Sequence, residues 1–428
     1  MRYRMIRLIA FLASVGLLGF SALNTSSESR AATSDEFING EVVVKLARAS
    51  DLPAVAAAYR LDPVPLGQFG SRPIYRLKIT DGTSAQDKAE ALLADPLARI
   101  VYAEPNLLGG APEEAARVTW SVGGDSGAYV AQWAPNVIRL PEAHTVTRGA
   151  GIIVAVLDTG VDATHPALAG KLVQGYDFVD LDSDPSEVGT HAQNPTYGHG
   201  THVAGLIALA APDARIMPLR VLDQDGVGNA WVLAEAVKFA MNPDGNPATN
   251  DGADVINLSL STAERSKLVR EVLKAAVCND GSQPTSSDDM PCLSPSGRGV
   301  VVVAAAGNNA STTPEYPAGD GDNGSIAVGA STQLDSIAAF SNFGSWVKVA
   351  APGEGILSSV PGGGFGTWSG TSMATPLVAG EAALVRAAYP TLKPAKVVQR
   401  IIDKSVDIRR SVRFRIDAAA ALGLPRAR

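Results

Sequence analysis

The sequence has little charge, few aromatic residues and almost no cysteine. Of its 428 residues, 18% are charged and 6% are aromatic, with 36 Lys and Arg against 43 Asp and Glu. No block of Lys or Arg interrupts this acidic balance, which argues against nucleic acid as a partner. Because 46% of the residues are hydrophobic, a disordered chain is excluded, and the length allows two or three domains with a large core.

Long apolar runs are also absent, except for one at the N-terminus. Arg2, Arg4 and Arg7 precede an apolar run over 8–23, and a polar stretch follows it. This order predicts a secretory signal peptide over 1–31, with export to the periplasm or the extracellular space. An uncleaved membrane anchor over 8–23 is the alternative, which is disfavoured because the run is slightly short for a span.

Cysteine occurs only twice, at Cys278 and Cys292, on either side of a loop rich in Asn, Asp, Ser, Gly and Pro. Neither cysteine lies beside a histidine, and no Cys/His spacing indicates a zinc site. In an exported protein the pair predicts a disulfide, which would stabilise the fold by about 3 kcal/mol through loop-closure entropy.

Two regions of different pattern follow the signal. Residues 38–107 show strands and helices in the order β-α-(β)-β-α-β, which is typical of a small ferredoxin-like α+β domain. The glycine-rich residues 108–128 are predicted to be an exposed linker, where proteases cut most easily. The predicted strands of the first region are 41–46, 73–79 and 99–103, and its predicted helices are 52–59 and 85–94.

From 129 to 428, continuous apolar strands alternate with helices. This alternation predicts an α/β fold with a doubly wound, mostly parallel sheet. The active site of such a sheet lies beyond the carboxyl ends of its strands. The predicted strands are 152–157, 215–221, 255–258, 300–306 and 326–329, and the predicted helices are 202–209, 230–241, 264–276 and 372–388.

Three segments of this region carry the groups needed for nucleophilic catalysis. Asp158 directly follows a predicted strand, His199 lies shortly before a predicted helix, and Ser372 opens the last long helix. A serine hydroxyl becomes a nucleophile when an imidazole accepts its proton and a carboxylate orients that imidazole. Taken one at a time, such motifs more often mark a turn, a helix cap or a histidine at the surface. Asn308, after the strand 300–306, is a candidate oxyanion donor together with the Ser372 N–H.

The residues around these positions resemble the signature blocks of subtilisin-like serine peptidases, the subtilases. The resemblance covers roughly 130–424, and the order Asp, His, Ser separates it from other serine hydrolases. It implies a monomeric serine endopeptidase that acts on proteins or peptides through an acyl-enzyme and needs no organic cofactor. His199 is implied to be the catalytic histidine, and His202 to pack on the following helix. The matching blocks are DTG at 158–160, HGTHVAG at 199–205, AAAGN at 304–308 and GTSMATP at 370–376.

Residues 38–107 likewise resemble the inhibitory prodomain of bacterial subtilases, including its ending VYAEPN at 101–106. The resemblance implies a domain that assists folding and then occupies the cleft with its C-terminal tail. Self-cleavage is expected within 107–129, and a permanent accessory domain is the alternative. For the whole chain, a catalytically silent subtilase-like binding protein is the alternative function, although none of the three catalytic groups is missing.

The resemblance also implies the walls of the pocket that receives the residue before the scissile bond, here called the acyl-side pocket. One wall is an apolar strand end, and the other is the family's Ser-Leu-Gly-Gly segment, in which Ser261 and Thr262 replace both glycines. Side chains in place of glycine predict a narrowed or reshaped pocket. The implied substrate-binding residues are Ser259, Leu260, Ser261, Ala306 and Gly307.

One acidic loop resembles a calcium loop of some subtilases. Its aspartates, at 177, 180, 182 and 184, would have to converge on a hard cation that takes six to eight oxygen ligands. A solvated acidic loop is an equally weighted alternative. The strong calcium site of many subtilisins is expected to be absent, because Ala167 follows the His165-Pro166 turn where the family has Asp. The candidate calcium ligands are Asp177, Asp180, Asp182 and Asp184.

Overall fold

The structure is a computed structural model that describes residues 36–113, 121–278 and 290–426. The predicted signal peptide and part of the predicted linker lie outside these residues. Within the described ranges, no helix combines the length and the apolar character needed to cross a bilayer.

The N-terminal domain is an antiparallel sheet of four strands in the order β2-β3-β1-β4. This order and the βαββαβ sequence of elements are those of the predicted ferredoxin-like domain. Side chains alternate across the sheet: Val42 and Val44 pack against the domain's two helices, whereas Val43 faces the second region of the chain. The elements are β1 Phe37–Leu46, α1 Leu52–Tyr59, β2 Gly67–Gln68, β3 Ile74–Lys78, α2 Ala85–Leu93 and β4 Ile100–Gly110.

The second region is built on a nine-stranded sheet, as the alternation of strands and helices predicts. The strand order is β16-β17-β13-β12-β11-β10-β6-β8-β7, and every neighbouring pair is parallel except β16 and β17. The strands and helices up to the middle of the sheet are β5 Ser121–Val122, α3 Ser126–Ala131, α4 Trp133–Val137, α5 Leu140–Ala143, β6 Ile153–Asp158, β7 Tyr176–Asp177, α6 His199–Ala210, β8 Arg215–Arg220, β9 Val227–Asn229, α7 Ala230–Met241, β10 Val255–Leu258 and α8 Lys267–Val277.

The remaining elements complete the sheet and a small hairpin beside it. They are β11 Val301–Ala305, β12 Ser325–Ser331, β13 Val349–Pro352, β14 Ile356–Val360, β15 Gly364–Trp368, α9 Thr371–Ala388, α10 Pro394–Lys404, β16 Val406–Asp407, β17 Phe414–Arg415 and α11 Ala418–Ala421. Both faces of the sheet are covered. In β6, Val154 and Val156 belong to the core with α6 and α9, whereas Ala155 and Leu157 belong to the core with α7 and α8. Burial on both faces explains why the strands are continuous apolar runs.

The prediction of an exposed linker from residue 108 is wrong for residues 108–112. Strand β4 continues to Gly110 instead of ending near 103, and its end pairs antiparallel with β9. Ala111 is only 3% exposed. The glycines that suggested a loop instead allow a close approach, because a Cβ on Gly109 would lie 2.9 Å from the Ser261 carbonyl oxygen. Residues 107–113 are called the tail below.

Cys278 and Cys292 form the predicted disulfide, with their Cα atoms 4.9 Å apart. The bond lies at the end of α8, and residues 279–289 between the two cysteines fall outside the described ranges. The disulfide prediction is confirmed.

Candidate active site

The sheet brings the predicted catalytic groups together at the carboxyl ends of its strands. Asp158 is the last residue of β6, His199 is the first residue of α6, and Ser372 lies in the first turn of α9. All three are at most 1% exposed. Helix α6 begins three residues earlier than predicted, after Gly198 at φ +91°. This start places the His199 ring over β6, with Nδ1 2.7 Å from Asp158 Oδ1.

A residue that the sequence did not predict lies among these groups. Glu113, in the tail, places Oε2 2.8 Å from Ser372 Oγ, which donates to it, and 3.2 Å from His199 Nε2. Its Oε1 accepts from Asn308 Nδ2 at 3.0 Å. One carboxylate therefore contacts Ser372, His199 and Asn308 at once. No sequence signal marks Glu113, because its partners lie 86 to 259 residues away in the chain.

The Asn308 amide is oriented by the start of helix α9. Thr371 donates to Asn308 Oδ1 from both its backbone N–H and its hydroxyl, each at 2.9 Å. Because Oδ1 is held in this way, Nδ2 points toward the position of the Glu113 carboxylate. An amide fixed in one orientation can donate to developing negative charge without reorganising.

The two histidines of the HGTH block have opposite environments. Burial alone would lower the pKa of His199, but the charge and hydrogen bond of Asp158, together with those of Glu113, raise it well above its ordinary value. His202 is also buried, and desolvation lowers its pKa to about 3. Its ring stacks on Trp368 of β15, so it packs against that strand and not on a following helix as implied, because α6 itself contains His202. Only His199 therefore has a carboxylate partner that stabilises its protonated form.

A second unpredicted carboxylate, Glu187, joins the strand and the helix that carry Asp158 and His199. It accepts from Thr159 Oγ1 at 3.0 Å and from the Thr201 N–H at 2.9 Å, and it also binds the Gly198 N–H at 3.2 Å. Burial raises the pKa of Glu187 to about 7, although these hydrogen bonds act to lower it. Glu187 lies in a loop with no recognisable motif, so only the three-dimensional structure identifies it.

The tail binds as an extended peptide between two strand edges. Gly110 and Ser261 exchange both backbone hydrogen bonds, at 3.0 and 2.9 Å, and the Ala111 N–H donates to the Gly226 carbonyl at 3.2 Å on the opposite side. Strand addition of this kind gives affinity through the main chain. Ser261 therefore contacts the tail as a substrate-binding residue would.

The other predicted substrate-binding residues lie around the same cleft. Ser259 Oγ donates to the Ser372 carbonyl at 3.0 Å, and Leu260 lines an apolar cavity with Leu107 and Leu108 of the tail. Ala306 and Gly307 follow β11, and the Gly307 N–H donates to Thr371 Oγ1 at 3.1 Å. Leu260 therefore lies beside the tail, whereas the contacts of Ser259 and Gly307 are with the start of α9.

The N-terminal domain also contacts the starts of two surface helices. Glu104 accepts from the N–H groups of Lys267 and Leu268, at 2.7 and 3.1 Å, at the start of α8. Asn106 Oδ1 accepts from the Trp231 N–H at 3.1 Å at the start of α7. Because the first N–H groups of a helix have no partner within it, these side chains satisfy donors that would otherwise be exposed.

The predicted calcium ligands do not converge in this structure. Arg220 Nη1 lies 2.6 Å from both Asp177 Oδ2 and Asp180 Oδ2, and the Asp182 and Asp184 side chains each accept local backbone N–H groups. Within the described part of the chain, no group of three or more His, Cys, Asp or Glu side chains is arranged to hold a metal ion. As arranged here, one arginine binds two of the four aspartates, and the four carboxylates do not form a set that fits a calcium ion.

The class of protein follows from the order and position of the reactive residues. An aspartate, a histidine and a serine, in that order along a mostly parallel sheet, point to the subtilisin-like serine proteinases. The comparisons with known proteins agree: the Subtilase family matches residues 149–421, and the fervidolysin N-terminal prodomain matches residues 24–106. The chain belongs to the subtilase family and is a serine proteinase with a prodomain.

Two known proteins are similar to this chain over most of their own length. The chain is 36% identical over 376 residues to the thermophilic serine proteinase of Bacillus sp. (strain AK1), covering 85% of this chain and 81% of that protein. It is 40% identical over 264 residues to thermitase of Thermoactinomyces vulgaris, covering 59% of this chain and 81% of thermitase.

A solved structure shows the same fold over most of the chain. Fervidolysin from Fervidobacterium pennivorans, described as a keratinolytic enzyme related to subtilisin, matches with a TM-score of 0.70 at 24% identity. The match covers 92% of this chain, which spans 62% of the fervidolysin chain. At this identity the likeness concerns the fold alone.

Proposed function

We propose that this protein is a secreted serine endopeptidase, made as a zymogen that cleaves off its own N-terminal domain. The observation that carries the proposal is the tail in the cleft. It pairs with Ser261 as a peptide substrate would, and it ends at Glu113 on Ser372, His199 and Asn308. Export is supported by the signal-like sequence at 1–31.

The proposed chemistry uses the groups that the fold brings together. His199 accepts the proton of Ser372 Oγ while the oxygen attacks a peptide carbonyl, and Asp158 orients and stabilises the resulting imidazolium. Asn308 and the Ser372 N–H donate to the oxyanion, and loss of one such donor typically costs about 100- to 1000-fold in kcat. His199 then gives its proton to the leaving amine as the C–N bond breaks. Water attacks the acyl-enzyme by the same route in reverse.

The proposal is tested by intact mass and N-terminal sequencing of the secreted protein. The wild type is expected to begin within 107–129, whereas Ser372→Ala is expected to keep the N-terminal domain, since the nucleophile is missing. If both chains keep the domain, self-processing is refuted. If both lose it, another protease makes the cut, and labelling of Ser372 by a fluorophosphonate then decides whether the site is active.

The occupied cleft supports one competing function, a catalytically silent binding protein whose tail permanently covers the site. The contacts of Glu113 with all three reactive groups favour this alternative before any cut is made. A secreted wild type that keeps its N-terminal domain and resists the fluorophosphonate would support the silent protein. Rapid labelling of Ser372 would exclude it.

Calcium binding and the monomeric state stay predictions that need their own measurements. In the arrangement described, Arg220 forms ion pairs with Asp177 and Asp180, so a chelator is expected to change the Tm of Ser372→Ala by little. A drop of several degrees with the chelator, restored by added calcium, would instead support the calcium site. The expected monomer is checked by light scattering on the same sample.

A further inference from the structure

A cavity of about 380 Å3, open to solvent, lies beside the tail at Pro112. Ser261, Thr262, Asn309 and Glu315 are among the residues that line it. The tail passes this cavity with Gly110, Ala111 and Pro112, whose side chains are absent or short. A segment that pairs tightly with the cleft therefore leaves this space open.

The hydrogen bonding of the tail identifies the substrate position that the cavity serves. Gly110 pairs with Ser261, and the Ala111 N–H bonds to the opposite edge at Gly226. Pro112 lines the cavity together with Ser261 and lies directly before Glu113, which reaches Ser372. The cavity is therefore the acyl-side pocket.

Glu315 gives this pocket its charge. None of the other residues lining the cavity within the described ranges is charged. A Cβ on Gly307 would lie 2.5 Å from the Glu315 carboxyl carbon, so the carboxylate lies against the wall next to Asn308.

The donors to Glu315 hold the carboxylate but do not neutralise it. Ser261 Oγ donates to Oε2 at 2.6 Å, and the amides of Asn309 and Asn342 donate to Oε1 at 2.7 and 2.8 Å. All three donors are uncharged, and a carboxylate can accept about four hydrogen bonds, so accepting capacity remains. The nearby Arg265 stacks on Tyr316 and pairs with Asp320.

These donors also explain the unusual serine at position 261. From the sequence, the two side chains at 261 and 262 are expected to narrow or reshape the pocket. In the structure, the Ser261 hydroxyl is directed to Glu315, and a cavity of about 380 Å3 remains. The substitution therefore reshapes the pocket by fixing a carboxylate in its wall.

We propose that Glu315 makes the acyl-side pocket select lysine or arginine in the substrate, an inference that rests on the proposed endopeptidase function. A cationic side chain entering the pocket would form a charge-assisted hydrogen bond with a carboxylate already held in place. An acidic side chain would meet a like charge with no cation among the lining residues to offset it. An apolar side chain would fit the space but leave the carboxylate without a new partner.

The test compares peptide p-nitroanilides that differ only in the residue before the scissile bond: Lys, Arg, Leu or Glu. For the mature wild type, kcat/KM is expected to be about 10- to 100-fold higher for Lys and Arg than for Leu, and lowest for Glu. The ratio of Lys to Leu should fall as salt is raised, because salt screens a partly exposed charge pair.

The variant Glu315→Gln keeps the size of the side chain and removes its charge. It is expected to lower the ratio of Lys to Leu by about tenfold or more. The matched control is Glu264→Gln, at an exposed position outside the lining residues, which should leave the ratio as in the wild type.

The two proposals fail in different ways. A wild-type enzyme that cleaves the Leu substrate as well as the Lys substrate would overturn the specificity proposal while leaving the endopeptidase function intact. The specificity proposal is also overturned if the ratio of Lys to Leu responds neither to Glu315→Gln nor to salt. If Glu315→Gln does not fold, the wild-type ratio and its salt dependence decide alone. If the wild type cleaves none of the four substrates and is not labelled by the fluorophosphonate, the proposed function itself is refuted.

Discussion

The side chain of Glu113 imitates the groups that an attacked peptide would present to the cleft. One oxygen lies where Ser372 Oγ and His199 Nε2 can both reach it, and the other accepts from Asn308. A product carboxylate left after peptide hydrolysis would offer two oxygens to the same three groups. In the uncut chain Ser372 is therefore engaged by a carboxylate, which cannot act as an acyl donor.

Replacing this carboxylate should expose the serine in the unprocessed chain. Glu113→Gln lacks the negative charge that stabilises protonated His199, so we expect faster labelling of the full-length band by a fluorophosphonate, by about tenfold or more. The rate is measured on gels at early times, before processing. Glu90→Gln, at an exposed position of the N-terminal domain, is the control. Equal labelling of Glu113→Gln and the wild type would show that the main chain of the tail alone covers the serine.

A second residue, Glu381, links stability to pH. It is fully buried in α9, and neither carboxyl oxygen has a hydrogen-bond partner in the described part of the chain. Burial, with a smaller effect from the charge of Asp417, raises the pKa of Glu381 well above its ordinary value of 4.5. The folded chain therefore holds a proton there that the unfolded chain releases, and stability falls as pH rises from about 4.5 through the folded pKa.

Glu381→Gln removes this titration while keeping the shape of the side chain. The variant is measured in the Ser372→Ala background to prevent self-digestion. Between pH 5 and about 8, its Tm should decline less than the Tm of the Ser372→Ala parent that keeps Glu381. Glu264→Gln, which removes an exposed carboxylate, should follow the parent. Parallel declines of Tm in all three proteins would contradict the assignment.

The sequence alone could predict the residues that lie next to regular elements. Asp158 and Asn308 follow apolar strands, and Ser372 opens a helix, so their positions follow from where parallel strands end. Glu113, Glu187 and Glu315 could not be predicted in this way. Each lies in an irregular segment, and its role depends on partners from remote parts of the chain. The serine that replaces a glycine at position 261 indicated an altered pocket, but the sequence did not show that its hydroxyl would bind Glu315.

Among the elements, helices α7 and α8 receive part of the hydrogen bonding at their starts from the N-terminal domain. Glu104 binds two N–H groups of α8, and Asn106 binds one of α7. The Ser266 hydroxyl also donates to Glu104, at 2.7 Å. By accepting hydrogen bonds from the first turns of α7 and α8, the N-terminal domain stabilises the fold around the cleft for as long as it remains attached.

Glu104→Ala should therefore slow the folding and maturation of the chain. The substitution leaves the start of α8 without its carboxylate acceptor, at a cost of about 1.5–3 kcal/mol for hydrogen bonds to a charged group. The measurement is the rate at which refolded chain becomes mature enzyme. Glu90→Ala, at an exposed site of the same domain, should mature like the wild type. A normal rate for Glu104→Ala would show that the contact does not assist folding.

The ends of elements were the least predictable part of the fold. Strand β4 runs to Gly110 because its last residues pair with β9, and a pattern rich in glycine gives no indication of a partner so distant in the chain. The sheet itself was predictable, because strands that are buried on both faces are visibly apolar.

For the molecule as a whole, the covalent link between the two regions determines how the cleft is occupied. The tail continues directly from β4, so an uncut chain carries its own occupant at a high effective concentration. The rate of fluorophosphonate labelling of the uncut chain should therefore stay constant over roughly a hundredfold dilution of the protein. After cleavage, dilution should speed labelling, because the N-terminal domain can then dissociate. Dilution that speeds labelling of the uncut chain would indicate that the occupant comes from a second molecule.

The short side chains at 110–112 bear on how long the tail remains uncut. They satisfy the main-chain contacts of the cleft but offer nothing to the pocket that contains Glu315. Under the proposed self-cleavage, a segment that binds well but fills the pocket poorly would delay its own removal for an interval set by its composition. In a protease that is exported as proposed, this delay would let the chain leave the cell before it begins to digest its surroundings.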